Sequence, residues 1–149
     1  MARNRDELNW GILAGSIGPR VRLLRNALTA RSITVSAPQG LPTGSLTVLA
    51  LIAGNSASSQ SALAIKAGLN KSALVGIVDQ LEQRGLAVRD RSDADRRRNV
   101  MRLTAEGEMA MTGLFAAVTR EESAIREALG ARDLAQFLNL LDQAIAALE

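Results

Sequence analysis

A chain of 149 residues with 2% aromatic residues, no tyrosine and a formal net charge of +3 has room for one domain, with a core of leucine, alanine, isoleucine and valine. It contains no cysteine and no histidine, which removes disulfides, thiol chemistry, the usual zinc ligands, the Ser-His and Cys-His catalytic pairs and any histidine pH switch. The charge is unevenly placed: residues 1–31 carry six arginines against two acids, and residues 104–149 three against eight.

No metal site and no cofactor is expected. Glycine-rich phosphate loops and S-x-x-K pairs are absent, and the adjacent Glu121 and Glu122 fall on different helix faces, so an enzyme is not expected. Nothing resembles a signal peptide or a membrane span, and a cytoplasmic location with no membrane partner is the expectation.

In chain order, Asp6 to Arg31 reads as a helix with Leu13, Ile17, Val21, Leu24 and Leu28 on one stripe. Pro19 falls inside it and either kinks it or begins a second helical segment. Arg20, Arg22, Arg25 and Arg31 read as a solvated face. Ser32 to Pro42 holds Pro38, Gly40 and Pro42 and reads as a connector. A helix from about Thr43 to Ala53 follows, then a short one from Gln60 to Ala67, closed by Gly68.

The next helix opens at Asn70, a candidate N-cap, and stops at Gly85. Its apolar stripe is Leu74, Ile77, Val78 and Leu81, while Ser72, Val75, Gly76 and Asp79 occupy the opposite face with Lys71 at the entrance. Two helices joined by a glycine-containing turn are the pattern of a helix-turn-helix.

After Gly85, Leu86 to Val88 and Asn99 to Leu103 pair as a hairpin around Arg91 to Arg98. Between Arg84 and Arg102 lie seven arginines against three aspartates, either a solvated hairpin tip or the basic finger of a DNA-binding module. Thr104 then caps a long helix from Ala105, striped by Leu114, Val118, Ile125 and Leu129 and broken at Gly130. The last helix carries Leu134, Phe137, Leu138, Leu141, Ile145 and Leu148 near heptad spacing, a stripe suited to core packing or to a subunit contact.

Three motifs occur in order: D-x-L-E-x-R-G-L at Asp79 to Leu86, D-x-D-R-R at Asp93 to Arg97, and R-L-T-x-x-G at Arg102 to Gly107. With Gly68 to Ser72 ahead of them, they resemble the MarR family of winged helix-turn-helix regulators. The resemblance implies a mainly α fold with a small β wing (α+β), as one domain over residues 1–149. Residues 5–31 and 105–148 would supply dimerisation helices and residues 43–103 the DNA-binding lobe. It implies a homodimer on double-stranded DNA, usually a repressor of a pseudo-palindromic operator that a small, aromatic or anionic effector releases.

By the same resemblance the DNA-binding residues are Lys71, Ser72, Val75 and Gly76 on the recognition helix and Arg91, Arg96, Arg97 and Arg98 on the wing. Arg97 is expected near the minor groove, with Asp95 orienting arginine. Trp10, Ile17 and Arg20 lie on the helix that borders the family's ligand pocket. Their plainer reading is packing for Trp10 and Ile17 and solvation for Arg20.

The chain departs from the family pattern at Pro19, and at Val75 and Gly76, where relatives carry polar or basic residues. Base readout would then lean on Lys71, Ser72 and a thymine-methyl contact from Val75. Gly76 either lets the helix sit deeper in the groove or is drift on a solvated face. The alternative function is a protein-binding helical dimer whose DNA-reading face has decayed.

Overall fold

Pro19 starts a helix rather than bending one. In the computed structural model, which describes residues 9–55, 58–91 and 99–148, helix α1 spans Gly18–Ser36 with the proline in its first turn. There the missing N–H costs nothing, because the first N–H groups of a helix have no partner within it. Of the two expected alternatives, a kink or a second helical segment, the structure has the second, and ahead of α1 stands only a short 3-10 turn at Gly11–Leu13.

The connector is shorter than expected, because α1 continues through Ser32 to Ser36. Nothing in that stretch opposes a helix before Pro38, and Val35 and Ser36 are buried where the rod meets the lobe. A second 3-10 turn, Ala37–Gln39, ends at Gly40, whose φ of 61° is the left-handed conformation that favours glycine.

Three helices and a hairpin make the lobe: α2 (Ser45–Gly54), α3 (Gln60–Lys66), α4 (Lys71–Gln83), β1 (Ala87–Arg91) and β2 (Asn99–Leu103). Between α3 and α4 the axis turns by 108°, with Gly68 at φ 66° in the joint. That angle lies in the range of helix-turn-helix units. The strands pair antiparallel from Ala87 opposite Leu103 to Arg91 opposite Asn99. Leu86 stays outside β1 and leads into it, and the strand runs on to Arg91, beyond the expected end at Val88.

The apolar stripe of α4 is buried throughout: Leu74, Val78 and Leu81 are fully enclosed and Ile77 nearly so. They pack with Leu49 and Ile52 of α2, Leu63 of α3, Met101 and Leu103 of β2, and Leu114 of α5 (Ala105–Glu121). Thr104 caps α5 as its sequence position predicts, its hydroxyl oxygen accepting from Gly107 N–H at 3.0 Å.

The helix expected to run unbroken from Ala105 to Leu129 is two. It resets at Glu122 (φ −88°, ψ 0°), whose carboxylate accepts from Arg126 at 2.9 Å in the next helix. That helix, α6 (Ser123–Ala146), is interrupted at Gly130, where φ is 70° and ψ 169°. No residue of α6 is buried.

Candidate nucleic-acid interface

The outward face of α4 follows from how the helix is anchored. Asn70 accepts from Ala73 N–H through its side chain at 2.8 Å, fixing the first turn, and the buried stripe fixes the rotation about the axis. Lys71, Ser72 and Gly76 are exposed as a result, while Val75 and Asp79 are half-buried. Lys71 and Ser72 sit in the first turn, where free N–H groups and the helix dipole favour phosphate.

A Cβ built on Gly76 meets no atom within 4 Å, so packing gives no reason for the glycine. Gly76→Ala is therefore expected to raise stability by about 1 kcal/mol, the usual helix-interior difference, checked by thermal unfolding. Operator affinity is the discriminating measurement. A loss with non-specific binding intact would assign Gly76 to close groove approach, and full affinity would assign it to drift.

Of the seven arginines between positions 84 and 102, three are spent on the fold itself. Arg89 on β1 bridges Asp79 at 2.6 Å and Glu82 at 3.2 Å, bracing the wing against the outer side of α4. Arg102 on β2 reaches Asp90 across the hairpin at 2.8 Å. Exposed pairs of this kind contribute at most about 1 kcal/mol each, so their effect is to hold the hairpin's angle more than its stability. Arg84 donates to the carbonyl oxygens of Gln39 at 3.1 Å and Gly40 at 2.7 Å.

The basic finger is thus narrower than its composition suggests. Arg91 ends β1 with its side chain exposed, and Arg96, Arg97 and Arg98, with Asp93 and Asp95, lie outside the described residues. The Arg102–Asp90 pair was recoverable once the hairpin register was known. No sequence signal marks the Arg84 contact, because its acceptors are backbone groups.

At the other end of the molecule the structure brings two of the three candidate ligand residues into one cavity. Ile17 and Arg20 line a space of about 510 Å³ with Val21 and Leu24 of α1 and Phe137 and Leu141 of α6. Trp10 lies outside that lining, but the Arg20 guanidinium stacks 5.0 Å from the centroid of its ring. Arg20 also donates to the Ser16 carbonyl at 2.7 Å. Ile17 is 72% exposed, whereas Trp10, 40% exposed, packs against the Arg20 guanidinium, which is oriented rather than freely solvated. Phe137 and Leu141 of α6 belong to the stripe that the sequence assigns to core packing or a subunit contact, and nothing in their spacing marks a ligand pocket.

Among the described residues no group of three or more His, Cys, Asp or Glu side chains could hold a metal ion. No single described helix is long and apolar enough to cross a membrane.

A helix-turn-helix whose second helix is exposed at its capped end, followed directly by a braced hairpin, is a winged helix-turn-helix module. Comparison with known proteins agrees. The MarR family model matches residues 41–98. A Thauera aromatica protein named for transcriptional regulation of the hcr operon is 36% identical over 138 residues, covering 91% of this chain and 82% of that protein.

Two solved structures of the repressor CouR superpose along nearly the whole chain. One is bound to a 23-mer DNA duplex, with a TM-score of 0.76, 31% identity, and coverage of 94% of this chain and 99% of that one. The other, from Rhodococcus jostii RHA1, is bound to p-coumaroyl-CoA, with a TM-score of 0.78, 30% identity, and coverage of 90% and 94%. The chain belongs to the MarR family and is a transcriptional regulator, and its relatives are regulators rather than enzymes.

Proposed function

We propose that the protein is a cytoplasmic homodimeric repressor of a pseudo-palindromic operator, released from DNA by a small aromatic, anionic effector. The observation that carries this reading is α6: a helix with a leucine-rich stripe and no buried residue needs a second chain to cover it. Residues 5–31 and 105–148 then serve dimerisation and residues 43–103 the operator.

In this reading Lys71, Ser72, Val75 and Gly76 face the major groove, and Arg91, Arg96, Arg97 and Arg98 meet phosphates or the minor groove. The effector site centres on Ile17 and Arg20, with Trp10 behind the guanidinium. Apolar walls with one oriented cation suit an aryl group linked to an anion, and p-coumaroyl-CoA, held by CouR, joins an aryl acyl group to the anionic phosphates of CoA. Effector binding shifts the dimer toward lobe spacings that do not fit the operator.

The test is a shift assay on the DNA flanking the protein's own gene, repeated across salt concentrations with single wing variants. Arg96→Ala, Arg97→Ala and Arg98→Ala are each expected to weaken binding to all sequences and lower the salt slope by about one unit where the residue contacts phosphate. Arg97→Ala is expected also to reduce a preference for A·T tracts. Unchanged slopes in all three would make the finger a solvated hairpin tip, and no shift with any flanking DNA would favour the protein-binding alternative.

A further inference from the structure

Arg84 lies one residue beyond α4, yet its guanidinium is bound to the far end of α1. Its Nη1 donates to the Gln39 carbonyl at 3.1 Å and its Nη2 to the Gly40 carbonyl at 2.7 Å. These two carbonyls close the 3-10 turn that extends α1 without a break, Ala37 N–H still bonding to Ile33 O. Carbonyls at a helix C-terminus have no partner within the helix and carry the negative end of its dipole, so a planar cation with two parallel donors is well matched to them.

The acceptor side is shaped for the fork. Gly40 has φ 61°, and a Cβ on it would lie 2.9 Å from Arg84 Nη2. The glycine suits the backbone conformation, and a side chain there would push the guanidinium from its present position. The turn is also stiff, with Pro38 inside it, Leu41 buried beyond it, and Leu41 N–H bonded back to Ser36 O at 3.3 Å. Among the described residues, the side-chain hydrogen bonds joining the α4 end to the α1–α2 connector are the two made by Arg84.

We propose that Arg84 is a positioning residue for operator binding: it clamps the recognition helix to the end of α1, so that the orientation of α1 in the dimer fixes the spacing of the two recognition helices. The proposal rests on the dimeric operator reading above. It gives movement at the Arg20 end of α1 a rigid route to α4, and it needs no contact between Arg84 and DNA.

The absence of native cysteine allows a direct test. Gln80, exposed on α4, is replaced by cysteine and spin-labelled, and the label-to-label distance across the full-length dimer is read by pulsed electron resonance. In this background Arg84→Gln is expected to broaden the distance distribution and weaken specific operator binding at least about tenfold, the effect of losing charge-assisted bonds. The salt slope and non-specific binding should not change. Arg84→Lys, which keeps the charge but cannot serve both carbonyls, is expected to fall between the two and guards against a variant that fails to fold.

A distance distribution as narrow as that of the parent would overturn the proposal. With a salt slope lowered by one it would make Arg84 a phosphate contact, and with only a lower Tm a local stabiliser. A parent protein showing no pair distance would sink the dimeric reading itself, and the proposal with it.

Discussion

Gly107→Ala is expected to destabilise the protein by about 3 kcal/mol, although alanine in a helix is ordinarily better than glycine by about 1 kcal/mol. Gly107 is buried in the first turn of α5, and a Cβ there would overlap the carbonyl oxygen of Leu86 and lie 2.9 Å from its carbon. The obstacle is backbone and cannot rotate away.

That carbonyl already accepts from Thr104 N–H at 3.1 Å, and the Thr104 hydroxyl donates to Gly85 O at 2.6 Å. Two residues of the R-L-T-x-x-G motif, Thr104 and Gly107, therefore lock the start of α5 onto the turn that ends α4. Separating them would loosen the joint between the recognition helix and the helix that leads to the dimer. Urea unfolding of Gly107→Ala beside Gly76→Ala is the measurement, with opposite signs expected. A Gly107→Ala protein within about 1 kcal/mol of the parent would mean that the joint yields easily and does not set the geometry.

The lobe was legible because its signals are local. The α4 stripe, the Asn70 and Thr104 caps and the glycine after α4 each act over a few residues, and the structure has all of them in place. The extension of α1 through Ser36 was not legible, because a proline and a glycine downstream look alike whether the helix stops at once or five residues later. What decided it was burial of Val35 and Ser36 against a lobe distant in sequence.

The site divides the same way. Lys71 and Ser72 could be placed from helical period alone. The engagement of Arg84, Arg89 and Arg102 depends on tertiary distance, so counting arginines overstated the charge left for DNA. The cavity at Ile17 and Arg20 needed α6 folded back on α1, a packing that periodicity within either helix does not contain.

Deleting residues 131–149 is expected to leave a folded monomer that no longer binds the operator specifically. In one chain Leu138, Leu140 and Ile145 are 53%, 53% and 57% exposed, and the half-buried Leu134, Phe137 and Leu141 share the segment. Covering the exposed half of such side chains gives roughly half the 1.5–3 kcal/mol of full burial each, and six of them from each of two chains together offset the cost of association. The lobe does not depend on them, since its buried core ends at Leu114 and Gly130 already separates the deleted turns from what precedes.

The truncated chain should therefore still unfold cooperatively while sedimenting as a monomer. Its operator affinity should fall by about 10² to 10⁴, the factor lost when two linked half-site contacts, spaced about 10 base pairs apart, become independent. Non-specific binding per lobe should persist, because it depends on the wing and the start of α4. A truncated protein that remains dimeric by analytical ultracentrifugation would place the subunit contact elsewhere, on α1 or α5, and leave the exposed stripe of α6 for another partner.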